Sequence, residues 1–105
     1  MSDLIKEKLI IHTQAFTKWG FDSQRLIWIE EMAELTQALA KSGRKFNPST
    51  EKQIQKEIVD VSLCIEQMKI LFFSANKFDE MYKEAFTRYK ELVLNDRDTR
   101  EEARE

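Results

Sequence analysis

Two pairs of carboxylates carry the chemistry in this sequence. Glu31 and Glu34 sit in Ile29-Glu30-Glu31-Met32-Ala33-Glu34-Leu35, and Glu57 and Asp60 in Lys56-Glu57-Ile58-Val59-Asp60-Val61. Both pairs are three residues apart, and on a helix such positions are neighbours on one face. Each pair can therefore aim two carboxylates at one point, and two such helices packed antiparallel bring four around a shared cavity. Glu57 lies beside the apolar positions Ile54, Ile58 and Val61, and Glu30 and Glu34 fall between Leu26 or Ala33 and Ile27 or Ala38. Clustered carboxylates near a core repel one another and lose hydration. A divalent cation removes both penalties, and an all-oxygen set suits Mg²⁺, with Mn²⁺ as a substitute, over Zn²⁺. A single Glu-x-x-Glu is ordinarily a solvated helix face. Two pairs on consecutive helices, both flanking apolar stripes, are less ordinary.

Four helices are expected to position these groups. The first runs from about Asp3 to Trp19, capped by Ser2 or Asp3, with the stripe Ile5, Leu9, His12, Phe16 and Trp19 at helical spacing and Gly20 as its stop. The second starts after Asp22 or Ser23 as N-cap and ends near Lys41, before Gly43. Asn47 as N-cap with Pro48 in the first turn opens the third, which runs to about Phe73 with the stripe Ile54, Ile58, Val61, Ile65, Met68 and Phe72. Ser74 or Asn76 restarts the chain for a fourth, marked by Phe78, Met81, Tyr82, Ala85, Phe86, Tyr89 and Leu92. The second helix is apolar over a wide arc, from Trp28, Met32, Leu35 and Leu39 round to Leu26, Ile29, Ala33 and Ala40. Such an arc needs neighbours on two sides. In so short a chain the second neighbour is a further copy, so the expected architecture is an all-α four-helix bundle whose core is completed by oligomerisation.

With 105 residues, two Gly and one Pro, the chain reads as one helical domain over 1–95 followed by a charged tail, 96–105, with nothing to bury. A net charge of −2 with both signs interspersed gives no electrostatic reason for nucleic-acid or membrane binding. No segment reaches the roughly 20 apolar residues of a membrane span. The opening MSDLIKEKLI does not read as a signal peptide. The single cysteine, Cys64, excludes an internal disulfide, and a cytoplasmic location is the expectation.

Glu30-Glu31-x-x-Glu34, then 22 residues, then Glu57-x-x-Asp60, resembles the EExxE…ExxD signature of the MazG-like all-α nucleoside triphosphate pyrophosphohydrolases. Lys18-Trp19-Gly20-Phe21-Asp22-Ser23-Gln24 looks like the lead into the first acidic helix of that family, and the likeness extends over residues 5 to 92. The resemblance implies that Glu31, Glu34, Glu57 and Asp60 hold Mg²⁺, and that Glu31 or Glu34 acts as the base. Glu30 would support the ligands from behind or assist a water. His12, Phe16 and Trp19 would contact the base or sugar, and Arg88 the phosphates. It further implies hydrolysis of a (deoxy)nucleoside triphosphate to monophosphate and pyrophosphate, as pool sanitation or regulation, by a homodimer or homotetramer.

The sequence departs from the family where Ala85 stands in place of an expected Lys; Lys83, Lys77 or a residue of a second subunit would have to substitute. Cys64 stands where some relatives carry a Tyr or His, and it reads as a small core residue. Arg44 and Lys45, in the loop between the acidic helices, are within reach of triphosphate oxygens if that loop folds over the site. A di-iron carboxylate bundle needs Glu-x-x-His on two helices, and the only histidine, His12, is remote from both acidic pairs. Val61-Ser62-Leu63-Cys64-Ile65 lacks the Tyr-His expected of a phosphoribosyl-ATP pyrophosphohydrolase. The competing class is a non-catalytic helical interaction module that retains the acidic scaffold.

Overall fold

The computed structural model describes residues 2–44 and 46–95; Met1, Lys45 and the stretch 96–105 read as a charged tail lie outside the described residues. The fold is all-α, with four helices: α1 Asp3–Trp19, α2 Phe21–Ser42, α3 Pro48–Phe72 and α4 Lys77–Leu94. Among the described residues no helix is long and apolar enough to cross a membrane. By its contacts the chain divides into two compact units, Met1–Phe72 and Phe73–Glu105.

Local chemistry sets the helix ends. The Ser2 hydroxyl accepts from the Ile5 backbone N–H at 3.2 Å, which makes Ser2 the cap of α1. Gly20 ends that helix with φ 82°, donating to the Phe16 carbonyl at 2.9 Å, and its own carbonyl accepts from Gln24 N–H at 3.3 Å. One glycine thus closes α1 and opens α2. The expected cap at Asp22 or Ser23 is corrected accordingly: both lie inside the first turn of α2, where the Asp22 charge complements the helix dipole. At α3 the pairing is reciprocal, Thr50 N–H to Asn47 Oδ1 at 3.0 Å and Asn47 N–H to Thr50 Oγ1 at 2.9 Å, with Pro48 as first residue.

In the first unit α2 and α3 form the main contact and α1 packs on both. They run antiparallel, since Gln24 and Trp28 meet Gln67 while Glu31 meets Asp60 and Glu57. Trp28, 4% exposed, is the centre of the core; the rings of Phe16, Phe21 and Phe72 stand edge-on to it at 6.0–6.2 Å between centroids. The expected stripes are only partly buried. On α3 Val61 is buried, but Ile58, Ile65 and Phe72 are exposed, and the buried line is Glu57, Val61, Cys64 and Gln67. On α1 His12 alone is buried, and Ile5, Leu9 and Trp19 are exposed. The helices are rotated so that polar side chains meet at the centre, and a surplus of apolar side chains faces outward.

In the second unit α4 buries none of its residues. Phe73 and Phe78 meet edge to face at 5.4 Å, and Phe78 stacks on Tyr82 at 6.1 Å.

Candidate metal centre and adjoining cleft

Antiparallel packing of α2 on α3 brings Glu31, Glu57 and Asp60 together, with one oxygen of each within 4.8 Å of the others. Glu57 is 2% exposed. Its Oε1 accepts from Gln53 Nε2 at 2.6 Å, one turn earlier on α3. Lys56 is the only cation bonded to the cluster among the described residues, with Nζ 2.9 Å from Asp60 Oδ2 and 3.6 Å from Glu57 Oε1. One ammonium does not balance three carboxylates. Burial, followed by the charges of Glu34, Asp60 and Glu57, pushes the Glu31 carboxyl above its ordinary range. The Asp60 hydrogen bond and the surrounding negative charge push Lys56 above its own.

The fit to a cation rests on two atoms. Glu31 Oε2 and Glu57 Oε2 are buried and have no hydrogen-bond partner among the described residues. Buried polar atoms are almost always paired, so these two carboxylate oxygens are open to a ligand or a water. Hard oxygen donors with no nitrogen or sulfur among them match Mg²⁺ or Mn²⁺.

A cleft of about 330 Å³ adjoins the cluster. Ile11, His12 and Ala15 of α1 form one wall, and Gln24, Ile27 and Glu31 of α2 another. Asp60, Leu63, Cys64 and Gln67 of α3 complete it. Burial, together with the charges of Glu31 and Asp60, raises the Cys64 thiol and keeps it protonated, in line with a core residue and not a nucleophile. His12 lies within hydrogen-bond distance of Glu66 Oε1, at 2.8 Å from Nε2, and Lys8 binds the other oxygen at 3.1 Å. That hydrogen bond, ahead of Lys8, draws Glu66 below the ordinary carboxylate range. An ionised Glu66 only accepts, so the proton is on His12 Nε2.

The other residues singled out from the sequence are placed as follows. Glu34, half-buried, raises the Glu31 carboxyl by its charge but is not one of the three converging groups. Glu30 is exposed. Phe16 packs on Trp28, and Trp19 is 56% exposed at the end of α1, with Lys18 Nζ 5.2 Å from its ring centre; neither lines the cleft. Arg88 is an exposed residue of α4 in the second unit, as is Ala85. Arg44 is exposed, and Lys45 lies outside the described residues.

Two glutamines escaped the sequence reading. Trp28 Nε1 donates to Gln67 Oε1 at 2.6 Å, and Gln67 Nε2 donates to Gln24 Oε1 at 3.0 Å, all three residues being buried. The available signal was spacing: Gln24 precedes Glu31, and Gln67 follows Asp60, by seven residues, which on a helix is the same face. Comparison of the chain with protein-family models, curated proteins and solved structures gives no significant match.

Proposed function

We propose that this chain is a Mg²⁺-dependent nucleoside triphosphate pyrophosphohydrolase, with Mn²⁺ able to substitute. The observation that carries the reading is the pair of partnerless buried oxygens, on Glu31 and Glu57, beside Asp60 and a cleft open to a small molecule. The resemblance of the two acidic motifs to the MazG-like family supplies the reaction. Glu31, Glu57 and Asp60, with Glu34 beside them, would hold the cation, which neutralises charge on phosphate oxygens when bound. Glu31 or Glu34 takes a proton from a water whose oxygen bonds to the α-phosphorus. The bond from that phosphorus to the bridging oxygen breaks, and pyrophosphate leaves with the electron pair.

The exposed apolar side chains of α1 and α3, among them Leu4, Ile5, Ile58 and Leu63, favour a working homodimer or homotetramer, and the lone free cysteine fits a cytoplasmic location. One observation favours the non-catalytic module instead: no Lys or Arg lines the cleft among the described residues. Pyrophosphate release from a panel of ribo- and deoxyribonucleoside triphosphates, with Mg²⁺ and with EDTA, separates the two. Metal-dependent release that is lost in Asp60→Asn is the expected result. Silence of the folded protein across the panel would sink the enzyme and leave the module.

A further inference from the structure

The buried chain Trp28–Gln67–Gln24 has only one possible direction. An indole N–H donates and never accepts, so the Gln67 atom 2.6 Å from Trp28 Nε1 must be its carbonyl oxygen. The Gln67 amide nitrogen therefore points the other way, and the Gln24 atom 3.0 Å from it must in turn be an oxygen. The Gln24 NH₂ is what remains at the free end. This assignment does not depend on which way either amide was drawn, because the indole fixes both.

Gln24 is 4% exposed, and its Nε2 is buried with no hydrogen-bond partner among the described residues. Its side chain lines the cleft that also holds Glu31 and Asp60. An unpaired buried donor, locked in direction by two further side chains, is costly unless an acceptor arrives. Along α2, Gln24 and Glu31 are separated by seven residues, about 10 Å of helix rise. A phosphate gripped at the acidic cluster does not reach that far; the nucleoside end of the same molecule does.

We infer that Gln24 reads the base of the bound nucleotide, as a donor-only group that selects a keto oxygen over an amino group. The inference rests on the nucleotide reading above and deepens it by naming the substrate class: triphosphates of keto bases, with uracil favoured over cytosine and guanine over adenine. An amino group at that position sets donor against donor and leaves both unpaired. Trp28 and Gln67 act as positioning residues, since their hydrogen bonds set the direction of the Gln24 amide. Gln24 Nε2 is buried in the free protein although the side chain lines the cleft, so the proposed contact requires a rotamer change in the wall. Ile27, one turn along the same face and 41% exposed, is placed to make it.

The test is calorimetric binding of non-hydrolysable α,β-methylene analogues of dUTP and dCTP, in Mg²⁺, to the full chain. The wild type is expected to favour the dUTP analogue at least tenfold. In Gln24→Glu the acceptor for Gln67 is kept and the donor edge becomes an acceptor, so the preference is lost or reversed. In Trp28→Phe the direction is no longer fixed, so the ratio collapses toward one even where both affinities fall. A folded Trp28→Phe protein that keeps the full preference overturns the positioning role. Equal binding of the two analogues by the wild type, or an unchanged preference in a folded Gln24→Glu protein, overturns the inference alone. A wild type that binds neither analogue overturns the nucleotide reading and this one with it.

Discussion

Replacing Glu57 by Gln separates the cost of the acidic cluster from its use. Oxygens of Glu31, Glu57 and Asp60 lie within 4.8 Å of one another. At an effective dielectric of about 20, two charges at that range repel by about 3.5 kcal/mol. Three such pairs approach about 10 kcal/mol, the order of the whole stability of a small domain. Lys56 offsets part of this. The cation-free protein at neutral pH is therefore held below its attainable stability. By mass action a cation at a hundredfold its Kd adds about 2.7 kcal/mol. Each kcal/mol moves the midpoint of a domain of this order of size by about 4–8 °C. Thermal unfolding followed by circular dichroism should give a Tm about 10–20 °C higher in saturating Mg²⁺ than in EDTA. Glu57→Gln keeps an oxygen for Gln53 and removes one charge, so its Tm in EDTA should equal or exceed that of the wild type. Its gain on adding Mg²⁺ should shrink to a few degrees. An equal Mg²⁺ gain in both proteins would refute the reasoning, because the stabilising ion would then be bound elsewhere.

The remaining expectations are briefer. Asp60→Asn should lower kcat/KM for pyrophosphate release by more than about a hundredfold, the upper end for groups that merely support a metal ligand; the exposed Glu30→Gln should stay close to wild type, and the reverse order would exchange their roles. Glu31 is raised above its ordinary 4.5, so in EDTA the folded state binds the extra proton, and stability should fall as pH rises from 4.5 through the folded value. Glu66 is lowered from 4.5, so its contribution is complete above that pH and is lost as pH falls through its folded value. Denaturant titrations across this range should show the first slope flattened in Glu31→Gln and the second in Glu66→Gln. Gly20 combines φ 82° with ψ 164°, a region all but closed to other residues. Gly20→Ala should therefore cost about 1–3 kcal/mol in urea unfolding, although an added Cβ meets no atom within 4 Å.

Helix ends were legible in the sequence wherever one side chain or one glycine decides them, as at Ser2, Gly20 and the Asn47-Pro48 pair. The start of α2 was misread because Gly20 caps it from the backbone, and a backbone cap leaves no Ser or Asp signature. Helix faces were legible only in part. Counting apolar residues puts Ile58 and Ile65 inside, whereas the structure exposes both and buries Gln67 together with Glu57, which the sequence placed beside the stripe. Hydrophobic patterning takes polar residues to seek water, but here they seek one another or a ligand. In the acidic half of the site, the convergence of Glu31, Glu57 and Asp60 was readable because three-residue spacing of carboxylates is unusual beside an apolar stripe, but Glu34 does not join them. The amide half was not, because glutamine at a helical position carries no comparable signal until Trp28 is seen to donate to it. The stripe through Phe16 and Trp19 gives their face on α1 but not how far along the helix the cleft extends.

Gly20 also makes α1 a lever. With no intervening linker, two backbone angles set the direction of the whole helix, and His12 lies eight residues out, about 12 Å from the pivot. A swing of about 10° there displaces the α1 wall by about 2 Å, enough to pass or refuse a ring edge. At the far side Glu66 clasps both Lys8 and His12, so α1 is fastened to α3 at mid-length. The α1 wall of the cleft is thus held by one glycine at its end and one carboxylate at mid-length. Neither belongs to the acidic cluster, so a substitution at Gly20 or Glu66 would change that wall while leaving Glu31, Glu57 and Asp60 in place.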